Sequence, residues 1–588
     1  MSCRVGNSTS LNGSSNPRDF GFSKSAIPFT KFPRRTTAAS DADKLNLPIH
    51  VPDALKNLGF INLEEVANLI DPNDSDTLEQ WNLLIPLLSD VTLYNKICDF
   101  AMIPNSKLDI TADDLARMIQ CGRWKQFANL KPRRTSNVFS VTEKAKGRRR
   151  LIEWPKQLND ELRAYFGDFP IDLADAVIHA RDLLPGMMAI CADLTKSFQQ
   201  CRVGANVRNF FAFRGFDGKY VYPTSLPMGV VFAPAIMNLI VTIVARHQLP
   251  SGVACHVHVD NIRYAGLDHD EVQRAYDEFV SRCNQCGVTL NDEPDVNVLH
   301  KRGTFMGIYH DYETAEVSVA DKTLDKLLDD AAPVLNGRST IEDVQVLYSR
   351  LFYCSRILRI PLARYFMPMK FYRRMMNQFS RYATDPAARH QPALLWKSAR
   401  NDLRHWISEI KKNKPVRHDS DFCALTQDDR VVVIASDASC DGWGGVLFNE
   451  VTGETFAYGE RWPKRRPAPE INVCETEAVG KVLETFKDRI EAINPTKIIF
   501  LIDNTTAQGA LRKQYSASES MNTAISETLS HFPGSAPVFM AYIRSEENPS
   551  DAPSRGKSLD RELARSMGSV GRRMATSSLA ARIHRPQA

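Results

Sequence analysis

Residues Val257-His258-Val259-Asp260-Asn261 constrain this chain more than any other stretch. An apolar run leads into an acidic residue, and Ile262 to Ala265 returns to apolar or aromatic residues. That is the pattern of a β-hairpin whose turn pushes a carboxylate into solvent. Asp-Asn at a hairpin tip is ordinary turn chemistry when it stands alone. Here it does not. Ala192-Asp193-Leu194-Thr195-Lys196-Ser197-Phe198 follows the apolar run Met187 to Cys191, so a strand ends on a second carboxylate. Between the two acids lie Leu226-Pro227-Met228-Gly229 and Ala233-Pro234-Ala235, a proline–glycine turn opening a buried helix. Gly303 to Ile308 adds a further strand with small-residue contacts.

Phosphoryl transfer to a nucleic-acid 3′ end commonly uses two Mg²⁺ ions about 3.5–4 Å apart. Such hard ions take oxygen ligands, and carboxylates that bridge them offset their repulsion. Asp193 and Asp260 are natural ligands if their strands lie side by side.

The chain has 588 residues and a formal net charge of +5. At about 100–200 residues per domain, that length predicts three to five domains. Residues 1–45 are rich in Ser, Asn, Thr, Pro and Arg and predict a disordered basic arm. Residues 46–124 predict a small helical module with an acidic bias. The block Lys125 to Arg150 is basic, and an α+β pattern runs through 125–310. Helical patterning with many cations follows over 311–425, including Arg364, Lys370, Arg373, Arg374, Arg381, Lys397, Arg400 and Arg404. A second α/β unit occupies 426–556, and 557–588 predicts a basic, frayed tail.

Twelve scattered cysteines without a secretory leader point to a reducing compartment. Cys283 and Cys286 form a lone C-x-x-C and read as two small residues on a helix turn rather than as a metal site. Leu226 to Ala245 is almost wholly apolar, but Pro227, Gly229, Pro234 and Asn238 interrupt it. It predicts a turn and a buried helix, not a membrane span.

Taken together, Asp193 with Phe198, Leu226 to Gly229, Val257 to Asn261 and Phe305-Met306-Gly307 resemble, in order and spacing, the palm motifs of reverse transcriptases. Arg149-Arg150-Leu151-Ile152, ending near Leu158-Asn159, is similar to their fingers motif. The resemblance implies that Asp193 and Asp260 are metal ligands. It implies that Phe198 is a steric gate against a ribose 2′-OH, so that dNTPs are the substrates. It places Met228 and Gly229 at the nucleotide pocket, and Arg149, or more loosely Lys144, on the triphosphate. Two positions depart from the family: His258 stands for the usual Tyr, and Asn261 for the usual Asp. Asn offers a carbonyl oxygen without charge. Some viral RNA polymerases are similar in carrying Asp-Asn at this turn, so an active enzyme is expected, with Mn²⁺ as an alternative to Mg²⁺.

The second unit carries its own acids. Val431 to Ile434 runs into Ser436-Asp437-Ala438-Ser439, and Gly442 to Leu447 returns. Glu475 lies in a stretch of helical character, Ile498 to Asp503 is a buried strand ending in an acid, and Asn548 to Ala552 starts a short helix at Asp551. Four acids at element ends can hold two metals and activate a water on a phosphodiester. The order Asp437, Glu475, Asp503, Asp551 resembles the ribonuclease H domains fused behind reverse transcriptases. Glu477 is an alternative to Glu475. The His usual before the last acid is missing from Tyr542 to Glu546. Asp503 to Ala507 and Asn548 to Arg555 are similar to DIRS-like retrotransposons of the kinetoplastid VIPER type. No Asp-Thr-Gly protease signature or zinc integrase motif is present, so integration functions are expected on another chain.

The expected architecture is therefore α+β and multidomain: a right-hand polymerase of fingers, palm and thumb, followed by an α/β ribonuclease H-like domain. The expected partners are RNA template, DNA primer, RNA:DNA hybrid, dNTPs and other element-encoded proteins. Asn261 and the absent His leave a second expectation open, a catalytically weak relic that still binds nucleic acid.

Overall fold

The structure is a computed structural model. It describes residues 47–49, 55, 58–98, 106–127, 129–143, 147–167, 169, 180, 183–291, 297–381, 390–418, 425–534, 536–575 and 581–583. The N-terminal arm, Lys144 and the end of the C-terminal tail lie outside these residues.

The expected hairpin is present. Ala254–His258 and Asn261–Gly266 pair antiparallel, with His258 opposite Asn261. Met188–Asp193 pairs along the other side of Asn261–Gly266, with Asp193 opposite Asn261. Alternation decides which residues face the core. Ile190, Ala192, Val257, Ile262 and Tyr264 enter a core shared with the helices Ala233–Arg246 and His269–Cys286. Asp193 and Asn261 alternate with Ala192 and Ile262, so they belong to the opposite face.

The apolar stretch is a turn and then a buried helix, Ala233–Arg246, with proline in its first turn. Among the described residues no helix is long and apolar enough to cross a membrane. Asp268 caps His269–Cys286 by accepting the Glu271 N–H at 3.0 Å, and Gly287 ends it in the left-handed conformation. Cys283 and Cys286 are buried on this helix, and burial pushes both thiols up. All described cysteines are free.

The N-terminal helices Leu63–Asn68, Ser75–Leu84 and Val91–Ile97 carry Val66, Leu84 and Tyr94 into the same core as the hairpin sheet. These three helices thus share a core with the hairpin sheet, whereas Leu115 and Met118 of the helix Ala112–Gln120 join a separate cluster with Ile49, Leu55, Leu58, Ile110 and Trp124. Farther along, the helices Asp321–Leu335, Ile341–Ile357 and Lys397–Lys412 enclose Leu347, Tyr348 and Trp406. The Trp406 indole N–H donates to Ser355 Oγ at 2.7 Å, so its one polar atom is satisfied inside this core.

The second unit is built on a six-stranded mixed sheet. Val431–Ala438 pairs antiparallel with Gly442–Asn449 and parallel with Lys497–Ile502. Thr455–Arg461 extends the antiparallel side, and Val538–Tyr542 the parallel side. Val432 and Ile434 face the helices Ile471–Thr485 and Glu519–Ser530. Val431, Val433 and Ala435 face Arg561–Ala575. Both faces are covered, which is why the strand reads as an unbroken β-branched run.

Glycines set the position of the short helix Asp551–Ser554 against this sheet. A Cβ on Gly444 would collide with the Ser554 nitrogen, and one on Gly459 with the Pro553 carbonyl oxygen. Neither backbone can yield cheaply. Gly459→Ala is therefore expected to destabilise the protein by about 1–3 kcal/mol through overpacking. Gly509 is the control, since it is helical and a Cβ there would meet nothing within 4 Å. Gly509→Ala should stabilise by about 0.5–1 kcal/mol. Urea denaturation of both variants checks the contrast, and equal midpoints would refute the cradle.

Candidate active sites

The first site gathers at the hairpin tip. The Leu194 N–H donates to the Asp260 carbonyl at 3.2 Å, so the two acid-bearing segments are backbone neighbours. Val259 takes the first turn position with φ +60°. A β-branched residue there is strained by about 1–3 kcal/mol. Its N–H donates to Asn238 Oδ1 at 3.0 Å, a polar side chain sent up from the buried helix to hold the turn. The Asp260 carboxylate is then fixed from two sides. Ser197 Oγ donates to Oδ2 at 2.7 Å, and Asn261 Nδ2 donates to Oδ1 at 3.1 Å. Asn261 thus serves Asp260 as a neutral donor. Burial also pushes His258 down, against the nearby Asp260 charge, which favours a neutral ring.

Phe198 follows Ser197 on the one-turn helix Ser197–Gln200 and is half-buried against the core under the hairpin sheet. Met228 and Gly229 are clasped by Glu153 and Asn159. The Glu153 N–H donates to the Met228 carbonyl at 2.9 Å. Asn159 Nδ2 donates to the Gly229 carbonyl at 2.8 Å, and Asn159 Oδ1 accepts the Val231 N–H at 2.9 Å. Gly229 has φ +129°, and a Cβ there would lie 2.5 Å from the Glu153 carbonyl oxygen. The glycine is needed because the turn lies directly on another strand.

Arg149 requires a correction. The fingers likeness puts it at a triphosphate, but its side chain is 2% exposed. Its guanidinium grips both oxygens of Asp114, at 2.8 and 3.0 Å, and donates to the Leu47 carbonyl at 2.6 Å. Asp114 in turn closes a capping box with Thr111 at the start of the helix Ala112–Gln120. Arg149 is a buried structural cation in this fold. Lys144, the looser alternative, lies outside the described residues.

The second site is a tighter acid cluster. Asp437 comes from the central strand, Glu475 from the helix Ile471–Thr485, and Asp503 follows the strand Lys497–Ile502. Ligand oxygens of the three lie within 4.8 Å of one another. Burial pushes Asp437 up to about 6, opposed by the Ser554 hydroxyl and reinforced by Asp503 and Asp551. Burial pushes Glu475 up to about 9, reinforced by Asp437 and Asp503. Glu475 Oε2 is buried with no hydrogen-bond partner among the described residues. An orphaned, buried oxygen amid like charges is what a divalent cation satisfies. The cluster fits a metal ion. Glu477, the alternative to Glu475, is instead paired with Arg466.

Asp551 stands apart from the three. It opens its short helix as expected, but Arg555 Nε and Nη2 hold its Oδ1 at 2.9 and 2.7 Å. Several supporting residues escaped sequence reasoning. Ser554 donates its hydroxyl to Asp437 Oδ2. Asn548 Nδ2 donates to the Ser436 carbonyl at 2.9 Å and ties the Asp551 turn to the central strand. Asn504 caps the helix Thr505–Lys513 and donates to Asn472 Oδ1 at 3.0 Å. In sequence each is only a small polar residue beside an acid.

No protein-family model matches the sequence, and no curated protein sequence matches it significantly. Solved structures similar to it include those of foamy viral protease-reverse transcriptase. One, in complex with dsDNA, is 15% identical with a TM-score of 0.44, over 85% of this chain and 99% of that one. A second, the dRH form in complex with ds DNA, is 14% identical with a TM-score of 0.42, over 87% of this chain and 84% of that one. A third, in complex with RNA/DNA hybrid, is 14% identical with a TM-score of 0.43, over 85% of this chain and 64% of that one.

The raised carboxyls fix a pH signature. Folded and metal-free, Asp437 and Glu475 keep protons that they shed when unfolded. Their contribution to stability is full below the ordinary carboxylate range. It is lost as pH rises through about 6 for Asp437 and about 9 for Glu475. A bound divalent cation needs them deprotonated. At about pH 7.5, binding should release about one proton, mostly from Glu475, and Glu475→Gln should abolish the release. Titration calorimetry in buffers of different ionisation heat measures the proton count. A count of zero in the parent protein would refute the assignment.

Proposed function

We propose that this chain is a retroelement reverse transcriptase, copying RNA and DNA templates into DNA and cleaving the RNA strand of RNA:DNA hybrids. The observation that carries the reading is the coexistence of two acid sites on one chain. One is the strand pairing that brings Asp193 beside the Asp260–Asn261 tip. The other is the buried Asp437–Glu475–Asp503 cluster on a mixed sheet. The order of these motifs supports the finer likeness to DIRS-like elements of the VIPER type.

Two Mg²⁺ or Mn²⁺ ions at each site would supply Lewis acidity and an activated oxygen for phosphoryl transfer. At the first site Asp193 and Asp260 would hold them. Ser197 and Asn261 orient Asp260, and the Met228–Gly229 turn, held by Glu153 and Asn159, would line the nucleotide pocket. Phe198, beside Ser197, would exclude a 2′-OH. At the second site Asp437, Glu475, Asp503 and Asp551 would hold the ions, with Ser554 and Asn548 fixing their positions. Arg364, Arg374, Lys397 and Arg404 lie on the helical unit that separates the two sites along the chain, and all four are exposed there. They suit sequence-independent contact with phosphates.

Primer extension on an RNA template, run with Mg²⁺ and with Mn²⁺, tests the polymerase. Asp193→Ala should abolish extension while duplex binding persists, and a parent protein inactive with both ions would leave the relic reading in its place. Ser197→Ala should raise the metal concentration for half-maximal extension about tenfold, the usual cost of losing a partner of a ligand. The nuclease is tested on a labelled RNA:DNA hybrid, whose cleavage Asp437→Asn should eliminate.

A further inference from the structure

The sequence offers four acids to the second site, yet only three converge. The fourth, Asp551, shares its oxygen Oδ1 with two nitrogens of Arg555. The two residues lie one helical turn apart, and both side chains are about half exposed, 55% for Arg555 and 44% for Asp551. The backbone between them has little freedom. Gly444 and Gly459 meet the Pro553–Ser554 backbone at distances that leave no room for a Cβ, and the Ser554 hydroxyl is bonded to Asp437. Asp551 is therefore held in place, while the Arg555 side chain reaches solvent and can swing away.

Asp551 and Asp437 both attract this guanidinium. The site therefore contains a cation of its own, bound to the one acid outside the group of three whose ligand oxygens lie within 4.8 Å of one another. A guanidinium has five donors in a fixed fork and suits a phosphate at least as well as a carboxylate. A second divalent cation on Asp551 must compete with Arg555. A phosphate of an incoming strand would remove that competitor by offering the guanidinium another anion.

We propose that Arg555 is a tethered counter-ion that competes with a second divalent cation for Asp551 until a substrate phosphate draws it away. The first cation binds the Asp437–Glu475–Asp503 cluster in exchange for the Glu475 proton and without displacing Arg555 from Asp551. The second binds more weakly, by about fivefold, until nucleic acid is present, so the site is incompletely loaded at limiting cation when empty of substrate. The coupling to a phosphodiester rests on the nuclease reading above; the competition for Asp551 does not.

Mn²⁺ binding to the full-length protein, counted by electron paramagnetic resonance, separates the two parts. Ions at the polymerase site contribute equally to parent and variant, so the difference isolates Arg555. Without nucleic acid, Arg555→Gln should bind one more Mn²⁺ than the parent, or bind it about fivefold more tightly, the scale of a half-exposed ion pair. Arg555→Lys, which keeps the charge but loses the fork, should fall between them. Circular dichroism checks that each variant is folded. An RNA:DNA hybrid, whose own phosphates add the same ions to both proteins, as does the polymerase site, should close the difference between the parent and Arg555→Gln. Identical Mn²⁺ isotherms for parent and Arg555→Gln without nucleic acid would overturn the proposal. A parent that cleaves no hybrid, while Arg555→Gln still gains an ion, would remove the nuclease reading and leave the competition standing.

Discussion

Carboxylates repel one another, and burial strengthens that repulsion because little water remains to screen it. The second site is organised around this cost. Asp437 and Glu475 are both buried, and their charges oppose each other. The fold holds them together with rigid parts. A hydrophobic core on each sheet face fixes the central strand, a packed helix carries Glu475, and a glycine surface seats the turn bearing Asp551. Ser554 and the Ala438 N–H give local relief to Asp437 and Glu475, but not enough to hold either at its ordinary value. An arrangement that is unfavourable when empty and favourable around a cation binds by preorganisation: the folding energy of the cores has already met the cost of assembling the ligands.

The hairpin site meets the same repulsion differently. Asp260 is half-buried and takes neutral donors on both oxygens, Ser197 on one and Asn261 on the other. An acid at position 261 would have faced Asp193 across the strand pair and Asp260 along the chain. The amide removes one charge from that neighbourhood and supplies a donor. A cation at this site would meet fewer negative charges, while the position of the remaining carboxylate is set more firmly. Asn261 is thus part of the geometry of this site, and its presence alone does not mark loss of the site.

Local pattern was legible in the sequence. The hairpin at Val257 to Asn261, the buried helix behind Pro234 and the β-branched strand leading to Asp437 all formed as their periodicities required. Contacts between distant segments were not. Arg149 reads as an exposed cation in a basic run, and only the fold brings Asp114 to it from a helix cap 35 residues earlier. The helices Leu63–Asn68, Ser75–Leu84 and Val91–Ile97 read as a separate module because their apolar faces carry no sign of their partner, which is the core under the hairpin sheet. Asn159 gave no hint that it would span both sides of the Gly229 turn.

Arg149 and Arg555 show why a charge run cannot be read for function by counting. Both are arginines bonded to an aspartate, yet their surroundings differ. Arg149 is sealed, with its carboxylate also fixed by Thr111, so removing either partner leaves a buried unpaired charge. Arg555 is half exposed on a helix turn whose backbone cannot move. Its bond to Asp551 is worth little in water-screened surroundings and is readily exchanged. A cation that can leave at low cost, beside acids that gain from replacing it, is placed to respond to what enters the site. Solvent access, rather than the identity of the charged pair, separates the structural arginine from the responsive one.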